Sequence, residues 1–138
     1  MGIEEKRAIV ERLDRLKEEI SFLEQERPST VEILVADDKL RRSLERSLEV
    51  ALEAVLDIAR LIINLNNLSR PADNTEMFDI LGQKGFLPSK FVQEIRGMAG
   101  MRNVLVHHYT GIDFKKLFAA LHRTEDLKKF ANYIAKDL

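Results

Sequence analysis

Polar residues interrupt an otherwise apolar helical pattern in one segment, residues 100–109. Arg102 lies on the same helical line as three apolar residues, Ile95, Met98 and Leu105, where a core residue is expected. A guanidinium keeps its charge, so it cannot escape the cost of burial by losing a proton. Arg102 must therefore open onto a cleft, contact an anion such as a phosphate, or pair internally with one of the 18 acidic residues among the first 83 positions.

His107 and Tyr109 are two further polar side chains of this segment. On an ideal helix Tyr109 lies within about 20° of Arg102, whereas His107 lies about 140° away. Arg102 and His107 can therefore meet if the helix bends or ends near His107, or if a second copy of the chain supplies one of them across a two-fold axis. A purely structural explanation for His107 is also open, because an imidazolium near a helix C-terminus interacts favourably with the helix dipole.

The sequence favours chemistry without a metal or a cofactor. Cysteine is absent, which excludes disulfides, thiolate metal sites and a cysteine nucleophile. The phosphate-loop, dinucleotide-binding, serine-hydrolase and zincin motifs are missing as well. A metal site could be imagined from His107, His108 and Asp113, but adjacent histidines point about 100° apart on a helix and lack the usual i, i+4 spacing. We therefore expect no metal and no cofactor.

Helices must position these residues. Apolar stripes over residues 9–23 and about 38–66 predict two long helices joined by a short helical piece, 31–36. The second long helix is apolar on more than one side, which suits either the centre of a bundle or a subunit interface. Three further helices follow, with predicted starts at Asp73, Ser89 and Asp113. No segment has the alternation of a strand, so we predict an all-α, single-domain bundle of about five helices over residues 1–138.

Charge is distributed unevenly along the 138 residues, although the formal net charge is only −1. Residues 1–83 carry 12 basic and 18 acidic side chains, a sum of −6, whereas residues 84–123 carry seven basic and two acidic ones, a sum of +5. All three histidines also lie in this basic segment. An anionic partner is therefore expected there, with an uneven helix surface as the alternative.

Composition predicts a globular protein of the cytoplasm without a membrane partner. Apolar residues make up 45% of the chain and charged residues 33%, which is typical of neither a disordered chain nor a membrane protein. The N-terminus turns acidic at once and lacks the apolar core of a signal peptide. No run of about 18 apolar residues could span a bilayer.

A family resemblance is carried by residues 102–109, RNVLVHHY. This segment resembles the R-x4-6-H motif of HEPN domains, in the R-x4-H-x-Y form of the HepT toxins. The polar Asn103 directly after Arg102 matches the HEPN pattern too. The likeness extends over nearly the whole chain, through the helix of residues 44–59, the turn over residues 82–88 and the Gly-Met pair before the motif.

The resemblance implies a HEPN-like up-and-down bundle that dimerises and cleaves RNA without a metal, with the motifs of both chains lining a cleft. By position, Arg102 and His107 are the implied catalytic pair and Asn103 supports the site. A histidine can take the proton of a 2′-OH or protonate the leaving oxygen, while a guanidinium stabilises charge on the phosphate. His108 occupies the variable position of the motif and His122 lies outside it, so neither receives a catalytic role.

The resemblance also implies a partner. HepT toxins pair with a minimal nucleotidyltransferase antitoxin, which attaches adenylate to the motif tyrosine, here Tyr109. The implied substrate is RNA, possible classes being tRNA and mRNA, and no DNA is expected. Two alternatives stay open: a HEPN-like module that binds a nucleotidyltransferase or a nucleotide without cleaving RNA, and a purely structural helical dimer in which a carboxylate closes off Arg102.

Overall fold

The computed structural model describes residues 2–106, 111 and 113–138. Eight helices follow one another in this part of the chain: α1 (Ile3–Glu26), α2 (Val31–Ala36), α3 (Asp38–Leu65), α4 (Asn74–Gln83), α5 (Ser89–Ile95), α6 (Met98–Val106), α7 (Phe114–Leu121) and α8 (Thr124–Lys136). No strand occurs among these residues, and the all-α prediction is confirmed. Among these residues, none of the helices is both long enough and apolar enough to cross a membrane.

Side-chain caps begin four of the helices, and at α4 and α7 they are the predicted residues, Asp73 and Asp113. Asp37 and Asp73 each accept a hydrogen bond from the backbone N–H three residues further on, 3.0 and 2.8 Å long, at the starts of α3 and α4. Thr30 and Asp113 cap α2 and α7 in the same way. Each cap satisfies an N–H group of the first turn that has no partner within its own helix.

The central element of the bundle is α3. It has buried residues on more than one face and packs against α1, α4 and α6, while α8 packs against α1. Phe78 of α4 and Phe130 of α8, both fully buried, meet edge to face with their ring centroids 6.3 Å apart. The broad apolar coverage of α3 thus serves a core that several helices share.

Two of the five predicted helices are each divided into two. The predicted fourth helix is interrupted after Ile95, next to Gly97, and glycine is a poor helix former. The predicted last helix is interrupted at His122 and Arg123, whose N–H groups bond to carbonyls three residues back at 3.2 and 3.0 Å. This tighter hydrogen-bond pattern is common at helix ends.

Packing explains the second interruption. Thr124, the first residue of α8, accepts a hydrogen bond from the Arg27 guanidinium at 3.0 Å and donates one to Glu24 at 3.2 Å. Both partners lie at the C-terminal end of α1, so the start of α8 is fixed there. Lys128 forms a 2.8 Å ion pair with the same carboxylate, and its ammonium hydrogen bond lowers the pKa of Glu24.

Gly82 holds α4 close to α5, and we expect alanine at this position to destabilise the fold. A Cβ there would lie 2.7 Å from Val92 Cγ2, and a buried β-branched side chain has little freedom to move aside. Overpacking of this kind costs about 1–3 kcal/mol, which the midpoint of urea unfolding would report. Gly97→Ala is the control, because its Cβ would meet no described atom within 4 Å. Equal midpoints for the two variants would contradict the prediction.

Candidate functional site

Arg102 lies on α6, facing the central helix α3. Its Nη2 is 3.2 Å from Glu53 Oε1 of α3, so the internal pairing that the sequence left open does occur. The pair is not closed off, because 30% of the Arg102 side chain and 42% of the Glu53 side chain remain exposed. An ion pair this exposed to water is weak, roughly 0–1 kcal/mol. An anion reaching the guanidinium can therefore replace Glu53 at modest cost.

The two sides of the Arg102 guanidinium differ in their exposure to solvent and in their hydrogen bonds. Its Nε is buried and forms no hydrogen bond with any residue that the structure describes, whereas Nη2 bonds to Glu53 at the surface. One edge of the group therefore lies inside the protein, and the other side remains available to a ligand. A guanidinium that is charged and partly accessible suits the recognition of carboxylate or phosphate oxygens.

A small polar pocket surrounds this ion pair. Its volume is about 240 Å³, and its lining comes from α3, α6 and the first residue of α4: Glu53, Leu56, Asp57, Arg60, Asn74 and Arg102. Asp57 and Arg60 form a surface ion pair of 2.9 Å. The pocket thus brings two guanidinium groups, two carboxylates and an amide together, a set that can bind an anionic, hydrogen-bonding ligand.

Sequence reasoning missed Arg60 and Asn74. A signal for the first existed: Glu53, Asp57, Arg60 and Asn64 have the spacing i, i+4, i+7, i+11, which aligns them as a polar stripe on a largely apolar helix. Asn74 follows a loop and belongs to no such pattern, so its position beside α3 depends on tertiary packing.

The other predicted site residues are described only in part or not at all. The backbone of Asn103 belongs to α6, and its side chain lies outside the described part of the chain. His107, Tyr109 and His108 lie outside the described residues. The structure therefore locates Arg102 alone among the catalytic and modification residues that the motif predicts.

His122 does not line the Arg102 pocket. It ends α7, its Nδ1 lies 2.9 Å from the carbonyl oxygen of Phe118, and its ring centroid lies 4.4 Å from that of Phe118. These local contacts give it a structural role. Among the described residues no group of three His, Cys, Asp or Glu side chains could hold a metal ion.

The basic segment 84–123 presents less free positive charge than its sum of +5 indicates. All three of its arginines bind carboxylates: Arg96 binds Asp79 at 3.2 Å, Arg102 binds Glu53, and Arg123 binds Asp126 at 2.7 Å. Positive charge near Arg102 comes instead from Arg60, a residue of the acidic half. The pocket that holds Arg60 and Arg102 is therefore a better indication of where an anionic partner binds than the charge of the segment.

Comparison with known proteins covers nearly the whole chain. A family model described as Ribonuclease HepT-like matches residues 9–134, a span that includes Arg102. A curated relative, the mRNA nuclease HepT of Shewanella oneidensis, is 27% identical over 80 residues, which are 57% of this chain. The match covers 60% of that relative, so the chain spans about three-fifths of its length.

Solved structures share the fold. A Shewanella oneidensis HEPN toxin, tri-AMPylated and in complex with an MNT antitoxin, is similar with a TM-score of 0.83 and 23% identity over 99% of both chains. The cytosolic protein YutE of Bacillus subtilis has a TM-score of 0.83 and 18% identity, over 96% of this chain and 90% of YutE. These likenesses confirm the predicted HEPN-like helical fold.

Proposed function

Because the chain belongs to the Ribonuclease HepT-like family, we propose that it is a metal-independent endoribonuclease, the toxin of a toxin–antitoxin pair. The observation that carries this proposal is Arg102, the arginine of the R-x4-H-x-Y motif. It lies at an open polar pocket, with one edge of its guanidinium buried and the other side accessible. A permanent cation beside an open pocket can stabilise the charge on a reacting phosphate.

In the proposed reaction the ribose 2′-OH attacks the adjacent phosphorus. His107 moves a proton, either from the 2′-OH as a base or to the leaving 5′-oxygen as an acid. Arg102 stabilises the negative charge that builds on the phosphate oxygens, and Asn103 supports the site. The bond between phosphorus and the 5′-oxygen breaks, and the products are a 2′,3′-cyclic phosphate and a 5′-hydroxyl. The proton lost by the 2′-OH balances the one gained by the 5′-oxygen, and water exchanges the proton that His107 does not move.

We propose further that the working unit is a homodimer whose two motifs line one cleft. On one straight helix Arg102 and His107 are about 140° apart, and a second copy removes this difficulty. The proposed partners are RNA and a minimal nucleotidyltransferase antitoxin, which adenylylates Tyr109. We expect no DNA substrate, and we place the protein in the cytoplasm.

Cleavage of RNA in excess EDTA tests the activity. We expect the wild-type protein to cut RNA under these conditions and His107→Ala to be slower by about 10²–10⁴-fold, the usual contribution of a general acid or base. His122→Ala is the matched control, because this histidine lies outside the motif and, within the part of the chain that the structure describes, contacts Phe118 of its own helix. Full activity of folded His107→Ala would contradict the proposal.

One observation favours a second candidate, a module that binds a nucleotidyltransferase or a nucleotide without cleaving RNA. The ion pair with Glu53 gives Arg102 an internal partner and so a structural purpose. That candidate predicts a stable complex with the nucleotidyltransferase and intact RNA under every condition of the same assay.

A further inference from the structure

A second, larger groove adjoins the Arg102 pocket. Its volume is about 560 Å³, within the 300–1,000 Å³ typical of small-molecule sites. The end of α3, the loop 66–73 and the start of α4 form its walls. Its lining includes the polar Arg60, Asn64, Arg70 and Asn74 and the apolar Leu68 and Pro71.

The turn after α3 builds this groove. Asn67 has a left-handed backbone, φ 51°, and its N–H bonds to the Asn64 carbonyl at 3.3 Å. The N–H of Leu68 bonds to the Ile63 carbonyl at 3.0 Å, which completes a Schellman motif. The chain therefore turns back at a defined point, and Arg70 lines the same groove as Arg60 of α3.

The groove and the Arg102 pocket share two lining residues, Arg60 and Asn74. The two spaces are therefore neighbours, and Arg102, Arg60 and Arg70 line them in turn; we call this row of three arginines the path. A ligand longer than one nucleotide can follow this path with a cation at each end and one in the middle.

The chemistry along the path suits a nucleotide. Arg60 is half-exposed and forms an exposed i, i+3 ion pair with Asp57, which a phosphate can replace. Arg70 is exposed. The side-chain amides of Asn64 and Asn74 can both donate and accept hydrogen bonds, as the edges of bases do. Leu68 and Pro71 supply the apolar surface that a base face needs.

We propose that this groove holds the nucleotide next to the scissile phosphate of single-stranded RNA, with a flanking phosphate bound by Arg60 and Arg70. The inference rests on the proposed function, since it assigns the scissile phosphate to Arg102. It also places substrate contacts in the acidic half of the chain, outside the basic segment 84–123.

The test measures binding without cleavage. A fluorescent 2′-O-methyl RNA oligonucleotide lacks the attacking 2′-OH, so its dissociation constant can be measured over a range of salt concentrations. We expect Arg60→Gln/Arg70→Gln to bind it more weakly, by about tenfold for each arginine removed. The slope of log K against log salt should fall by roughly 0.7, the contribution of the one single-strand phosphate contact that is lost.

The double variant Arg42→Gln/Arg46→Gln is the matched control. It removes the same charge from exposed positions of α3, and Arg46 has its own i, i+3 partner, Glu49, at 3.3 Å. Arg46 lies about 21 Å from Arg60 along the helix. We expect the affinity of this control to stay within about twofold of the wild-type value and its salt slope to stay within about 0.3, because it leaves the path intact.

The outcomes separate this inference from the proposed activity. Wild-type binding that depends on Arg60 and Arg70, with no cleavage of ordinary RNA, would support the groove and overturn the nuclease. Cleavage by the wild type with unchanged oligonucleotide binding in Arg60→Gln/Arg70→Gln would overturn the groove alone. Equal losses of oligonucleotide binding in the two double variants would also overturn the groove alone. The same holds if Arg60→Gln/Arg70→Gln loses affinity for free AMP and keeps its affinity for the oligonucleotide.

Discussion

Arg102→Ala is expected to lower the rate of RNA cleavage by about 10²–10³-fold, the usual cost of removing one group that stabilises transition-state charge. The loss should fall on the cleavage step, because in the proposed reaction the guanidinium acts on charge that builds as the 2′-oxygen attacks. Arg102→Lys keeps a positive charge and loses the planar fork, so we expect a rate between those of the wild type and alanine. Single-turnover cleavage of a labelled RNA at saturating protein measures both.

Arg96→Ala is the control for this prediction. Arg96 also binds a carboxylate of a neighbouring helix, Asp79 of α4 at 3.2 Å, and is half-exposed like Arg102. Its removal costs the same charge and a similar ion pair, yet leaves the Arg102 pocket in place. Circular dichroism and size-exclusion chromatography would establish that both variants keep their fold and association state. Equal cleavage rates for Arg102→Ala and Arg96→Ala would contradict a catalytic role for Arg102.

Local sequence predicted most of the fold because helix starts are local events. Asp73 and Asp113 cap helices with bonds that span three residues, and such bonds can be predicted from spacing alone. The division of the last helix could not be read in this way. The start of α8 is held by Arg27, 97 positions before Thr124 in the chain, and local propensity carries no information about that contact.

The candidate site, like the fold, could be predicted where the signal is local and could not where residues distant in the chain meet. The position of Arg102 on an apolar line indicated that its guanidinium needs a partner, and the structure supplies Glu53. The choice of Glu53 among 18 acidic residues could not be predicted, because the two residues lie 49 positions apart. Arg60 was detectable from the polar stripe on α3, whereas Arg70 lies in a loop and has no periodic signal.

Charge sums along the sequence predicted the anion-binding surface less well than residue spacing predicted the helix starts. The basic segment predicted where an anion would bind, but side-chain pairing neutralises much of it locally, as at Arg123 and Asp126. Charge summed over a segment does not reveal which cations face carboxylates in the fold. The Arg102 pocket includes Arg60, a residue of the acidic half, and the charge sum of that half gave no sign of it. Only the fold shows which charged side chains share a surface.

Tyr109→Phe is expected to keep RNA cleavage and to lose its control by the antitoxin. On an ideal helix Tyr109 lies within about 20° of Arg102, so an adenylate on its hydroxyl would place a negative phosphate where it competes with RNA for the guanidinium. Phenylalanine has no hydroxyl to accept adenylate and removes no group that the proposed cleavage uses. Co-expression with the nucleotidyltransferase should therefore restore growth for the wild type and leave arrest in place for Tyr109→Phe.

Intact mass after the same co-expression measures the modification directly. The wild-type protein should gain whole AMP units, and Tyr109→Phe should gain none. Tyr133→Phe is the matched control, since Tyr133 is the other tyrosine of the chain and packs on Phe91 with ring centroids 5.1 Å apart. It should be modified and neutralised like the wild type. A Tyr109→Phe protein that stays unmodified and is still neutralised would show that the antitoxin acts by occupying the toxin, and the regulatory role of Tyr109 would be wrong.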